Sequence, residues 1–431
     1  MGSFVGAKKP VLITPSQPTP SHILSLSSLD SQPFLRFTIE YLLVYRIPHA
    51  LDKDATVARV KSAVARALVP YYPLAGRVKA RPDGSGLDVV CRAQGAGFIE
   101  AVSDCSPSEF ERAPRFVTQW KKLLSSFELF KSVPPVVIQL TWLNDGYAAL
   151  GVGFSHCVCD GIGSAQFLNL FAELATGRVK LSEFEPKPVW ERHLLDSTSR
   201  AVPGAHPEFV RVPDISGFGS RFCQDQLSPT SVTFDRKRIN ELKKLASAGQ
   251  PSESQHTSFE VLSAHVWRSW ARALNLPPKQ VLKLLFSINV RNRVKPSLPA
   301  GYYGNAFVLG CAQTSAKELT EKGLGYSSGL IRRAKERVGD EYVREVAESV
   351  SGSKRASPDS VGVLIVSQWS RMGLDRVDFG MGRPVHVGPV CCDKYCLILP
   401  VHDRTDAAKV MVAVPRTGVD RYEYLIRSPY S

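Results

Sequence analysis

An apolar run that ends in a histidine and leads directly into a helix constrains the fold of this chain more than any other feature. Residues 147–154 alternate apolar side chains with glycine, a pattern typical of a buried β-strand. From residue 162 to residue 175 apolar side chains recur on one helical face, and Gly177 is a typical C-terminal stop. The sequence therefore predicts a strand–turn–helix unit with His156 at the junction, fixed in place yet able to reach a cavity.

The residues of this junction allow more than one chemistry. An imidazole titrates near pH ~6.5, so His156 can accept a proton from a hydroxyl group at neutral pH. A histidine four residues before an aspartate also occurs by chance, which leaves a purely structural histidine as the alternative. Zinc sites usually separate paired cysteines by two to four residues, whereas a single residue separates Cys157 from Cys159. We therefore expect no metal here.

Chain length and hydrophobic content predict two domains. The chain has 431 residues, of which 44% are hydrophobic, and this is too much for one ordinary core. Residues 186–225 are rich in proline and lack periodicity, as expected of a crossover linker. We place an N-terminal domain at residues 1–185, this linker at 186–225 and a C-terminal domain at 226–431. Strand and helix patterns alternate in both halves, which predicts an α/β fold with mixed sheets.

The chain carries no pattern typical of export or membrane insertion. Its apolar runs are much shorter than a membrane span, and the first residues lack the charged and apolar regions of a signal peptide. Nine cysteines form no disulfide framework, which favours reduced thiols. We therefore expect a cytoplasmic protein that does not bind membranes.

A net charge of +14 favours anionic partners. No zinc-finger spacing, RNA-binding aromatic signature or basic helix with heptads is present, so a nucleic-acid partner is supported by charge alone. A solvated basic surface, or a pocket for a phosphate-bearing small molecule, would account for the same charge. We predict no nucleic-acid partner.

Several motifs follow one another in a fixed order along the chain. They are LSSLD at 26–30, LVPYYPLAGR at 68–77, HCVCDG at 156–161, TSFE at 257–260, NVR at 289–291, YYGN at 302–305 and DFGMG at 378–382. Together they resemble the BAHD family of plant acyl-CoA-dependent acyltransferases, and the resemblance spans nearly the whole chain.

The resemblance implies a fold and a reaction. Relatives have two similar-sized domains like chloramphenicol acetyltransferase, with a channel between them, and they are mostly monomeric. The acyl-CoA co-substrate enters from one face and the acceptor from the other, and they meet at the residue that matches His156. This general base would deprotonate the acceptor, which attacks the thioester directly. No bound cofactor, no metal and no covalent acyl-enzyme are expected.

The resemblance also suggests roles for the other motif residues. Asp160, grouped with His156 in the catalytic motif, could orient the histidine as in a triad or could pair with an arginine and shape the loop. Gly161 would permit the tight entry into the helix. Asp378, Gly380 and Gly382 would form a structural loop, with Asp378 paired to Arg291.

The resemblance extends to two residues near the reaction centre, and the chain departs from the family pattern at one position. Ser367 and Trp369 resemble residues that flank the reaction centre, and the Ser367 hydroxyl could hold the oxyanion or serve only as a strand serine. Met381 stands where the family has tryptophan, and a flexible apolar side chain can fill that space.

The predicted function is transfer of a benzoyl, acetyl or hydroxycinnamoyl group from CoA to an alcohol of plant specialised metabolism. Acylation of an amine would use the same base and is the first alternative. A catalytically silent homologue that only binds acyl-CoA is the second, and the presence of both His156 and Asp160 argues against it.

Overall fold

A computed structural model describes residues 4–125, 133–196, 206–217, 226–248, 256–352, 362–393 and 395–428. Within this part the strands are β1 Val5–Ala7, β2 Val11–Ile13, β3 His22–Ser25, β4 Thr38–Arg46, β5 Arg77–Ala80, β6 Leu87–Cys91, β7 Ala96–Ser103, β8 Val136–Leu143, β9 Tyr147–Ser155, β10 Leu227–Phe234, β11 Val281–Asn289, β12 Phe307–Ser315, β13 Val363–Gln368, β14 His386–Pro389, β15 Cys396–Val401 and β16 Arg404–Pro415. The helices are α1 Lys53–Ala67, α2 Gly161–Thr176, α3 Arg236–Ser247, α4 Ser258–Leu274, α5 Ala316–Glu321, α6 Leu324–Glu336, α7 Asp340–Gly352 and α8 Val419–Arg427.

The first large sheet carries the junction predicted from the sequence. Its strand order is β1-β7-β8-β9-β4-β14, and β2 also pairs with β7. β7 and β8 run parallel, whereas β8, β9 and β4 form antiparallel pairs. β8 is buried along its whole length because α1 and α2 contribute to the same core, called here the first core.

The second large sheet has the order β10-β16-β15-β13-β11-β12. β13 pairs in parallel with both β11 and β15, and the remaining pairs are antiparallel. Side chains of α4, α6 and α8 pack with this sheet in the second core. A smaller sheet, β3-β6-β5, completes the described strands. The predicted α/β class with mixed sheets is confirmed.

The helix ends follow the expected capping chemistry. The Asp160 side chain accepts a hydrogen bond from the Gly163 N–H and so caps α2, which ends at Gly177 in the left-handed conformation (φ 69°). α4 starts at Ser258, with a capping box between Thr257 and Glu260. None of the described helices is long and apolar enough to cross a lipid bilayer.

One strand from the C-terminal half belongs to the first sheet. β14 pairs antiparallel with β4, with His386 opposite Val44. Phe379 and Met381, which precede this strand, are buried in the first core. A linear boundary at residue 226 therefore separates most of the two sheets but not this segment, which the sequence prediction placed in the C-terminal domain because periodicity does not show which sheet a strand joins.

The predicted linker is in part a docked segment. Arg192 and Leu195 are almost completely buried, and Val189 forms a β-bridge with Tyr302. Residues 197–205 and 218–225 of the linker lie outside the described residues. Part of this proline-rich segment is therefore packed against the folded halves and does not serve only as a connection.

Candidate active site

Backbone hydrogen bonds hold His156 on both sides. Its N–H donates to the Phe37 carbonyl oxygen at 2.9 Å, and its own carbonyl accepts from the Asn305 side-chain amide at 2.7 Å. The ring lies between Phe37 and Phe307, with centroid distances of 5.0 and 5.7 Å. Phe37 precedes β4 and Phe307 begins β12, so both large sheets contribute to the position of the imidazole.

The imidazole of His156 is suited to act as a base. The residue retains part of its solvent exposure, while Nδ1 is buried and has no hydrogen-bond partner among the described residues. Burial lowers the pKa of His156 below its usual value, although Asp160 and Asn305 act in the opposite direction. The ring is therefore neutral at pH 7 and has a free lone pair.

Asp160 binds an arginine and two backbone amides instead of the histidine. Its carboxylate oxygens accept hydrogen bonds from both terminal nitrogens of the Arg291 guanidinium, at 2.8 and 2.9 Å. They also accept hydrogen bonds from the N–H groups of Gly163 and Ala306. Burial alone would raise the pKa of Asp160, but Arg291 and these amides hold it below its usual value. Because Nδ1 of His156 has no partner among the described residues, the triad-like interaction is not formed and the structural interpretation of Asp160 is supported.

Arg291 ties the two halves of the chain together around this loop. Besides Asp160, it donates to the carbonyl oxygens of Tyr302 and Gly304. The sequence interpretation paired Arg291 with Asp378, and that pairing is wrong. Asp378 binds Arg178 at 2.9 Å, and its other oxygen accepts three N–H groups of its own loop, from residues 380–382.

A second buried ion pair, which the sequence did not predict, holds the same loop from the other side. Arg192 contacts Asp30 at 3.2 Å and donates to the Val158 carbonyl at 2.8 Å. Burial alone would lower the pKa of Arg192, but the neighbouring Asp30 carboxylate helps to raise it above its usual value. Asp30 also accepts two hydrogen bonds from Asn305, the residue that binds the His156 carbonyl. The LSSLD motif contained Asp30, but nothing in the proline-rich segment pointed to Arg192.

Close approaches explain the glycines around this network. A side chain at Gly304 would overlap the Arg192 guanidinium, and one at Gly163 would overlap the Tyr303 carbonyl. A Cβ at Gly161 would lie 2.9 Å from the sulfur of Met372, which agrees with the tight entry predicted for this residue. Residues of the YYGN motif therefore contact both arginines and the histidine loop.

The DFGMG motif forms the expected glycine-dependent turn. Gly380 and Gly382 have φ values of 84° and 88°, a region that side chains other than glycine rarely adopt. Met381 is 1% exposed within the first core, so methionine fills the space there. Asp378, Gly380 and Gly382 thus organise one loop that packs on the N-terminal half.

Ser367 and Trp369 lie at the end of β13. Ser367 is partly exposed, and Trp369 is buried, with its ring centroid 4.8 Å from that of Tyr41. The Tyr41 hydroxyl hydrogen-bonds to Ser164 in the first turn of α2. Trp369 therefore supports the helix that follows the histidine loop, and contact of either residue with substrate stays a prediction.

The cysteines beside the histidine are unsuited to nucleophilic attack. Burial raises the pKa of Cys157 to about 12 and that of Cys159 still further. Across the described residues, no group of three or more histidine, cysteine, aspartate or glutamate side chains could hold a metal ion. The reactive group that this site offers is the imidazole.

Comparisons with known proteins agree with this arrangement. The model of the Transferase family matches residues 4–423. The omega-hydroxypalmitate O-feruloyl transferase of Arabidopsis thaliana is 31% identical, over 97% of this chain and 92% of its own. The benzyl alcohol O-benzoyltransferase of Petunia hybrida is 33% identical, over 89% and 83%.

The fold is shared with a solved relative of lower identity. The structure of TRI101 from F. graminearum, complexed with coenzyme A and T-2 mycotoxin, superposes with a TM-score of 0.76 at 16% identity, over 94% of this chain and 97% of that one. The chain belongs to the Transferase family, the BAHD acyl-CoA-dependent acyltransferases, and is an acyltransferase.

Proposed function

We propose that this protein transfers an acyl group from acyl-CoA to an alcohol and that His156 is the general base. The observation that carries the proposal is the state of the imidazole: it is neutral, partly accessible and fixed through its backbone by Phe37 and Asn305. Two buried arginine–aspartate pairs brace the loop that carries it. Such restraint keeps a base within reach of a bound hydroxyl group.

The proposed reaction needs no covalent intermediate on the protein. His156 takes the proton from the acceptor hydroxyl as its oxygen attacks the thioester carbonyl. The tetrahedral intermediate then collapses, the C–S bond breaks, and the imidazolium returns the proton to the CoA thiolate. We propose Ser367 as a hydrogen-bond donor to the oxyanion. It lies near the end of β13, two residues before Trp369. Trp369 packs on Tyr41, and the Tyr41 hydroxyl hydrogen-bonds to α2, the helix that follows the histidine loop.

The surroundings of His156 favour an apolar substrate. Phe37 and Phe307 flank the imidazole, and the ring centroid of Tyr395 lies 6.0 Å from that of Phe37. An apolar cluster of Leu35, Leu285, Phe307, Leu309 and Cys311 continues from Phe307. The names of two relatives, which specify a hydroxy fatty acid and benzyl alcohol as acceptors, are consistent with this environment. We therefore propose an alcohol with a largely apolar body as the acceptor, with an aromatic or short aliphatic acyl donor.

The test measures release of free CoA thiol by the purified protein. Acetyl-, benzoyl- and feruloyl-CoA are each combined with benzyl alcohol, a long-chain alcohol or benzylamine. Thiol release that depends on an alcohol supports the proposal. Turnover with benzylamine alone would contradict O-acylation. Absence of turnover with every donor, despite measurable binding of acyl-CoA, would favour a silent homologue.

A further inference from the structure

A cleft lies at the opposite end of β4 from His156. Thr38 at the start of β4 pairs with Ser155, the neighbour of His156, whereas Val44 near its end pairs with His386. Six strand residues at ~3.3 Å each separate these positions by roughly 20 Å. The cleft has a volume of about 680 Å³, and its walls contain none of the site residues described above. Its size is typical of small-molecule sites.

The cleft is formed where the edges of the two large sheets meet. β14 and the end of β4 provide one wall, and β10, β16 and α8 provide the other. Much of the surface is apolar, from Val44, Phe110, Val387 and Pro400. A ligand here would therefore bury an apolar body between the sheets.

Lys409 supplies an unpaired positive charge to this cleft. It lies on β16 between Leu399 and Thr233 of the neighbouring strands and is only partly exposed. Its ammonium group makes no hydrogen bond or ion pair with any described residue, and burial lowers its pKa with no carboxylate acting in the other direction. An ammonium group held in this way is stabilised by an anion that enters the cleft.

His386 adds an unsatisfied polar atom to the same wall. The residue is 5% exposed, and its Nδ1 lies 3.2 Å from the Phe110 carbonyl oxygen. Nε2 is buried and has no partner among the described residues. The rings of Phe110 and Trp120 pack on the imidazole at 5.5 and 5.2 Å. The histidine is thus held in place by the Phe110 carbonyl and by the two rings.

Charges at the rim limit which anion fits. Glu111, Asp375 and Glu423 line the cleft together with Arg112 and Arg427, so the rim carries one more negative than positive charge. A doubly charged phosphate would be repelled there, whereas a single carboxylate is matched by Lys409.

We propose that this cleft binds a small organic monocarboxylate, with the carboxylate on Lys409 and the apolar body between β14 and β16. The site is separate from the acyl-transfer centre, and its occupation does not depend on turnover.

Binding of sodium benzoate, measured by calorimetry, tests the proposal. We expect saturable binding to the wild type that persists in His156→Ala and in the presence of saturating CoA. In Lys409→Met the affinity should fall at least about tenfold, because a hydrogen bond to a charged group is lost. Lys409→Arg is the matched variant and should retain most of the affinity. Inorganic phosphate should bind at least about tenfold more weakly than benzoate.

A second measurement needs no substitution. Reductive methylation followed by peptide mapping should show that benzoate protects Lys409 but leaves the exposed Lys237 unprotected. Equal affinity in Lys409→Met, displacement of benzoate by CoA, phosphate binding as tight as benzoate, or no protection of Lys409 would each overturn the proposal.

Discussion

The two motif aspartates, Asp160 and Asp378, both bind an arginine, but in very different surroundings. In the Asp160–Arg291 pair the side chains are 6% and 10% exposed, whereas in the Asp378–Arg178 pair they are 15% and 60% exposed. The first pair joins residues from the two halves of the chain beside the histidine loop. The second also joins the two halves, but it lies at the surface, where it fastens the loop at 378–382 to the N-terminal half. The same ion-pair chemistry therefore fastens the reaction centre in one place and supports a surface turn in the other.

The difference also shows which partner matters in each pair. Arg291 has further bonds to two carbonyl groups, so both members of the buried pair are embedded in a network. In the exposed pair only Asp378 is embedded, through three amides of its own loop, while Arg178 is largely in solvent. Buried pairs are costly to break because one charge is left without a partner, and exposed pairs contribute little.

Breaking the buried pair should have the largest effect on stability. Asp160→Ala or Arg291→Ala leaves a buried charge unpaired, which typically costs about 3–5 kcal/mol of the free energy of unfolding. Urea denaturation of each variant and of the double variant checks this. The double variant should lose less than the sum of the two single losses. Additive losses would contradict a direct interaction.

The Asp30–Arg192 pair should affect catalysis through the position of the histidine loop. Arg192→Met removes the bonds to Asp30 and to the Val158 carbonyl, so we expect a lower kcat, a smaller change in acyl-CoA affinity and a loss of about 3 kcal/mol of stability. Steady-state kinetics at a temperature where the variant is folded measures the first two. An Asp30→Asn, Arg192→Met double variant that recovers stability but not kcat would separate positioning from folding.

Within the exposed pair, the two partners should differ. Asp378→Ala leaves three backbone amides without an acceptor and should cost about 1–3 kcal/mol of stability. Arg178→Ala should cost less than about 1 kcal/mol, because its side chain is mostly in solvent. Thermal unfolding of the two variants compares them directly. A larger loss for Arg178→Ala would show that the ion pair, not the turn, holds this loop.

The pH dependence of turnover should show the smallest change. Since burial lowers the pKa of His156, its basic form persists below the ordinary value of 6.5, and kcat/KM should fall only at more acidic pH. A pH profile with a well-accepted alcohol measures the acid limb. A midpoint above 6.5 would contradict a buried, neutral base.

The local elements of this fold could be predicted from the sequence, but the contacts between them could not. Periodicity and the stop at Gly177 located the strand before His156 and the helix after it, because these signals arise from neighbouring residues. Arg192 lies in a segment without periodicity, and its partner Asp30 is 162 residues away. The same limit explains the wrong partner for Arg291, and it explains why β14 was not assigned to the first sheet.

The central claim is that His156 is the base and that the surrounding network only holds it. The most direct test compares thiol release by the wild type, His156→Ala and the exposed-histidine control His49→Ala at saturating acyl-CoA. General-base catalysis typically contributes ~10²–10⁴-fold, so His156→Ala should lose at least that lower factor while its acyl-CoA affinity and unfolding temperature stay close to the wild type. His49→Ala should match the wild type. A folded His156→Ala variant that keeps more than about one hundredth of the rate would contradict the account.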